Sequence, residues 1–186
     1  MPSDARRKMV ESAVTLLALR GLEGTAFRDV LERSGAPRGS IYHHFPDGKD
    51  QLVEAAVELA GERALGVLDR LHGSPPKEVT ATFFDLWRAV LVRSDIRAGC
   101  AVLAVTVATD SPDLLDQAAA IFRAWRGRIT DLYVEGGLSQ DAAARLAATL
   151  VASSEGAVVM SRAERTLEPF ELVAAQLLAL TPEAGD

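Results

Sequence analysis

Residues 38–44, Arg38-Gly39-Ser40-Ile41-Tyr42-His43-His44, gather side chains suited to binding by hydrogen bond and charge. Arg38 can present its planar fork to a guanine edge or to a phosphate. Tyr42 and His44 can donate to phosphate oxygens, and aromatic carbons can pack on a thymine methyl. Gly39 carries no side chain, so backbone there can come close to a phosphate. Lys49 sits where a helix is expected to begin. A cation in that place opposes the helix dipole by about 0.3–1 kcal/mol. An anion lying beside it would reverse the sign, because free N–H groups and the ammonium would hold it together.

Other chemistries find little support. Neighbouring helix residues point about 100° apart, so His43 and His44 cannot share one metal ion. His72, the third histidine, has no nearby Cys or second His, and no metal or cofactor is expected. Cys100 is the single cysteine, which excludes an internal disulfide and suits a reducing, cytoplasmic setting. The chain has no H-E-x-x-H, G-x-S-x-G, Walker or Rossmann pattern, so an all-helical enzyme is the weaker reading. An architectural DNA binder without a ligand switch is a second alternative, and the aromatic-containing body speaks against it.

The elements that must hold these residues read as helices. Val10, Ala13, Val14 and Leu17 make one apolar stripe, closed by Gly21. Thr25 offers an N-cap hydroxyl for a second helix carrying Phe27, Val30 and Leu31. Gly35-Ala36-Pro37 stops it. A short helix over 38–45 follows, with Ile41 and Phe45 turned inward, then the turn Pro46-Asp47-Gly48. Further helices are expected over 49–72, 76–94, 99–109, from Ser111-Pro112-Asp113 to Gly136-Gly137, from Ser139 to about Arg165, and from Glu168 to Thr181. No sustained period-2 alternation appears, so the chain reads as all-α with about nine helices.

The 186 residues, 48% apolar and 25% charged, can bury a sizeable core. Charges break the apolar runs, so no transmembrane helix is expected, nor a leader at the N-terminus. Net charge is −6. Residues 1–49 hold eight Lys/Arg against six acids, and residues 50–186 hold twelve against twenty. A basic unit on an acidic body fits a small DNA-reading head.

Helix, glycine-bearing turn and short second helix form a helix-turn-helix plan, in which the second helix must fit a major groove about 12 Å wide. The runs Gly24-Thr25-Ala26-Phe27-Arg28-Asp29-Val30, Ser34 to Phe45, and Lys49-Asp50-Gln51-Leu52 strongly resemble the DNA-binding domain of TetR-family transcriptional regulators. The likeness is sharp over about residues 6–60. Pro46-Asp47-Gly48 is one residue longer than the commonest family spacing, and the glycine can absorb it.

The resemblance implies a DNA-binding head over 1–48 and a ligand-binding and dimerisation body over 49–186. It implies phosphate or base contacts by Thr25, Arg28, Arg38, Gly39, Ser40, Tyr42, His43, His44 and Lys49. It also implies a homodimer joined through the last two helices, where Leu146, Leu150, Ser154, Val158, Phe170, Val173 and Leu177 are candidates. An intrachain core claims some of these. The middle aromatics Phe83, Trp87, Phe122 and Trp125, with Cys100, Arg126 and Met160, are candidates for an inducer site; plain core is the competing reading. The implied partners are a palindromic operator and a small, largely hydrophobic effector. The implied activity is repression relieved by that effector through a population shift carried by the helix that starts at Lys49. Activation fits the residues equally well.

Overall fold

A computed structural model describes residues 4–183; Met1 to Ser3, which the leader argument uses, lie outside them. The described residues form nine helices and no strand: α1 (Asp4–Arg20), α2 (Phe27–Ser34), α3 (Ser40–His44), α4 (Lys49–Leu68), α5 (Pro76–Arg93), α6 (Ala101–Thr106), α7 (Pro112–Glu135), α8 (Gln140–Glu164) and α9 (Glu168–Leu180). The all-α reading holds.

Several boundaries differ from expectation for local reasons. Thr25 is not the cap of α2: Ala26 occupies that position without a side-chain bond, and the Thr25 hydroxyl donates to Gly21 O at 2.8 Å. α3 is shorter than 38–45. Ser40 donates twice to Pro37 O, from N at 3.0 Å and from Oγ at 2.6 Å, and this turn delays the helix. Phe45 then leaves helical geometry at φ −135°, ψ 66°. α4 stops at Leu68 because its hydrogen bonds shorten to three-residue turns, Arg70 N to Val67 O and Leu71 N to Leu68 O. α6 spans six residues rather than 99–109, and the Cys100 sulfur caps it by accepting from Leu103 N at 3.4 Å.

The chain forms two compact units. Among the described residues the first holds 4–62 and 100–121, the second 63–99 and 122–183. This compaction does not divide the chain at Lys49. The start of α4 belongs with α1–α3, as do α6 and the start of α7. In this first unit α1 packs against α2, α3 and α6, burying Met9, Leu17, Val30, Ile41, Phe45 and Leu52 completely. Gln117 Nε2 donates to Glu54 O at 3.0 Å, and a Cβ on Gly61 would stand 2.9 Å from Ile121, so α4 and α7 approach closely there.

In the second unit α5, α8 and α9 pack on one another. Arg88 of α5 grips Glu171 of α9 with Nε and Nη2, at 2.7 and 2.8 Å, and its guanidinium lies 5.7 Å from the Phe170 ring centre. The Arg88 hydrogen bonds hold the Glu171 carboxyl below its ordinary range. A buried hydroxyl cluster joins three elements: Thr80 Oγ1 lies 2.6 Å from Tyr133 Oη and 3.2 Å from Thr181 Oγ1. By length and a mean hydropathy of 1.2, α8 is the one described helix that could cross a bilayer, which the reading of broken apolar runs did not anticipate. Here one side of it is buried against protein, Glu155 included, while Arg145 and Arg162 are exposed.

Burial pushes the Tyr133 phenol up to about 12 from 10.0. A group whose folded pKa is raised stabilises the fold below its unfolded pKa and loses that contribution as pH climbs through the folded one. Tyr133→Phe should cost about 1 kcal/mol at neutral pH by losing one buried bond. Its deficit should then shrink as pH rises from 10 toward 12. Urea unfolding of both proteins across that window checks this.

Candidate nucleic-acid interface

Two inward side chains decide what α3 shows to solvent. Ile41 and Phe45, one turn apart, are both fully buried. The Arg6 guanidinium of α1 lies 5.2 Å from the Phe45 ring centre and covers it. Tyr42, one residue on from Ile41, is therefore rotated outward and is 68% exposed. Its ring stands edge-on to Phe27 of α2, centroids 5.8 Å apart at 80°. The turn between the helices begins at Gly35, in the left-handed region at φ 68°, whose N–H closes α2 on Leu31 O.

Arg28, Arg38 and Tyr42 line one open groove of about 630 Å³ between α2 and α3, with Phe27, Leu31, Glu32, Ala36 and Ile41. The Arg28 side chain is 84% exposed and only 3.6 Å from Asp29. Gly39 and His43 are exposed, while Ser40 and His44 are half-buried. The imidazoles of His43 and His44 meet at 62° with centroids 5.1 Å apart. The face thus presents a guanidinium fork, a phenol and an imidazole around a bare backbone at Gly39, all of them donors matched to phosphate oxygens and base edges.

Two expected contacts take other roles. Thr25 has no exposed surface, and its hydroxyl is engaged by Gly21 O, so it cannot meet a phosphate in this conformation. Lys49 is half-buried, and its Nζ donates to Leu22 O at 2.8 Å. That bond ties the start of α4 to the α1–α2 turn and answers the dipole conflict from within the chain. The longer turn is absorbed as expected: Gly48 takes φ +94° and donates to Phe45 O at 3.1 Å. Sequence reasoning missed Arg6 on Phe45 and Phe27 under Tyr42; neither pair shares a local periodicity that would mark it.

Residues 10–63 match the family described as bacterial regulatory proteins, tetR family. Residues 76–176 match the transcriptional regulator LmrA/YxaF-like C-terminal domain. A helix-turn-helix-type transcriptional regulator of Mycobacterium tuberculosis is 39% identical over 189 residues, covering 96% of each chain. The transcriptional repressor KstR2 of Rhodococcus jostii is 36% identical over 83 residues, 45% of this chain and 36% of that one. A regulatory protein TetR from Rhodobacter sphaeroides superposes with a TM-score of 0.85 at 21% identity, over 97% of this chain and all of that one, which shows the shared fold.

The chain belongs to the TetR family. It is a DNA-binding transcriptional regulator, and the exposed face of α3 with the adjoining turn is where this TetR-family head carries its hydrogen-bond donors.

The body residues singled out by sequence divide sharply. Phe83, Trp87 and Trp125 are buried, and Trp87 is edge-on to the other two, with Phe83–Trp87 centroids 6.3 Å apart and Trp87–Trp125 6.1 Å. Half-buried Phe122 joins Trp125 at 5.5 Å. Arg126 and Met160 are exposed, and Cys100 is buried in the other unit as the cap of α6. Of the interface candidates, Leu150, Ser154, Val158, Phe170 and Leu177 are buried in the core of the second unit, and Leu146 and Val173 are half-buried. The outward faces are instead Thr149, Ala152, Gly156 and Val159 on α8, and Leu172 and Leu180 on α9.

Thr25→Val should lower stability by about 1 kcal/mol through the lost hydroxyl bond. It should leave affinity for a mixed-sequence duplex at fixed salt unchanged. A loss of affinity shared equally by all sequences would make Thr25 a backbone contact after all.

Proposed function

We propose that this regulator is a homodimeric repressor that binds a palindromic operator and is released by a small, largely hydrophobic ligand. The observation that carries the reading is the outward face of α3: a 68% exposed Tyr42 between Arg38 and His43 on a helix fixed by buried Ile41 and Phe45. Arg28, Arg38, Gly39, Ser40, Tyr42, His43 and His44 are the DNA contacts on this reading. Lys49 adds its remaining N–H groups to a phosphate while holding Leu22 O. Functionally the head is residues 1–48 and the body 49–186. The repressor KstR2, alike over part of its length, supports the sign of regulation.

Dimerisation uses the outward faces of α8 and α9. Thr149, Ala152, Gly156 and Val159 repeat at spacings of three and four, a stripe that lets a partner helix approach closely. Leu172 and Leu180, 65% and 62% exposed, give the apolar area such a contact needs. A two-fold pair sets the recognition helices about 34–36 Å apart, one DNA turn. The ligand occupies the aromatic cluster of the second unit and favours another spread of the heads. Helix α4, which starts in the first unit and ends in the second, transmits the change. The chain works in the cytoplasm, where its DNA is.

Selection of bound duplexes from a random library should return an inverted repeat with half-sites about 10 base pairs apart or a multiple of this. Enrichment of a single half-site, or of nothing, overturns the reading. Arg38→Ala should cost about 1–3 kcal/mol on the selected site and relax one position. A Cβ on Gly156 meets nothing within 4 Å in the chain itself. Gly156→Leu should therefore keep the helical content while shifting the particle toward monomer in sedimentation; an unchanged dimer would move the interface elsewhere.

A further inference from the structure

Trp87 carries an unanswered donor. It is 5% exposed, and its indole Nε1 is buried with no hydrogen-bond partner among the described residues. The indole nitrogen can donate but cannot accept. A buried donor left without an acceptor is costly, and native interiors rarely keep one without a purpose. The surroundings are apolar: Phe83 and Trp125 stand edge-on to Trp87, and Phe122, the half-buried member, marks the side nearer solvent. A ring face is at best a weak partner for an N–H.

We infer that the Trp87 N–H is the donor that recognises the effector, and that the effector is an apolar molecule carrying a hydrogen-bond acceptor such as a ketone, ester or ether oxygen. The inference rests on the ligand reading above and adds its chemistry. The aromatic rings around the donor select an apolar body. The lone donor selects an acceptor at its rim and discriminates against a pure hydrocarbon of the same shape, because such a molecule would leave the N–H unpaired.

Fluorene and fluorenone form a matched probe pair, alike in size and differing in one carbonyl. Without a donor, burying that carbonyl disfavours fluorenone. With the Trp87 N–H available, fluorenone should bind the full-length dimer about five- to tenfold more tightly in calorimetry. Trp87→Phe keeps an aromatic ring and removes the donor. Any affinity lost with the smaller ring should be lost for both probes alike, and the preference for fluorenone should disappear. Equal binding of the two probes by the unaltered protein overturns this inference and leaves the ligand site standing. A preference that survives in Trp87→Phe places the donor elsewhere and also overturns it. Binding of neither probe overturns both.

Discussion

Everything the head does depends on the seating of α3. Five residues cannot sustain a helix in water, because the cost of nucleation is never recovered over so few hydrogen bonds. The segment is helical because Ile41 and Phe45 are buried against the helices around it, with Arg6 stacked on Phe45. That same burial fixes the rotation of the helix about its axis. Once Ile41 points inward, Tyr42 stands about 100° away and faces solvent. Recognition geometry is thus a by-product of core packing, and a head that loses either anchor loses its orientation before it loses its donors. The turns on both sides reinforce this. Gly35 and Gly48 take left-handed backbone at the two ends of the segment, so neither flanking helix can extend into it.

What was legible in the sequence follows the range of the interaction responsible. Helix existence was legible, because apolar spacing, Pro112 at a first turn and Ser139 as a cap act within a few residues; Ser139 does accept from Ala142 N. The order of Tyr42, His43, His44, Phe45 and Lys49 was enough to point to the family. Hydroxyl bookkeeping was harder to read. Thr25 looks like a cap, yet the Gly21 carbonyl takes its proton four residues back, and α2 starts one residue later than a cap at Thr25 requires. Lys49 looked like a cation at the wrong end of a helix. Its partner, Leu22 O, lies 27 residues away, and no local pattern announces such a bond.

The body shows a sharper limit. Helix α8 carries small and aliphatic residues nearly all round, so composition cannot say which stripe faces inward. Leu150, Ser154 and Val158 form one stripe at spacings of four; Thr149, Ala152, Gly156 and Val159 form another. The two lie on opposite sides of the helix, about 180° apart. Contact with α5 and α9 decides between them: Ser154 and Val158 go inside, and Gly156 and Val159 outside. A polar residue would have marked the outer face in an isolated protein. Leu172 and Leu180 stand where such residues belong, and large side chains left in water on adjacent helices are the physical argument for a covered surface.

The proposed ligand switch would impose an energetic condition that the Trp87 donor cannot meet alone. Moving a two-state protein from 1:99 to 99:1 needs a differential affinity of about 5.5 kcal/mol. One hydrogen bond contributes about 1 kcal/mol net. The remaining 4 to 5 kcal/mol must come from apolar surface that the ligand covers in one state and leaves wet in the other, about 160–200 Å² at about 25 cal/mol per Å². That is the area of one large aromatic side chain. Phe122, half-buried at the rim of the cluster, can supply surface of this kind if it closes over the ligand in one state alone. It also sits in α7, a helix whose earlier turns belong to the first unit. On this reading the acceptor decides which molecule is recognised, and the burial around it decides whether recognition reaches the DNA.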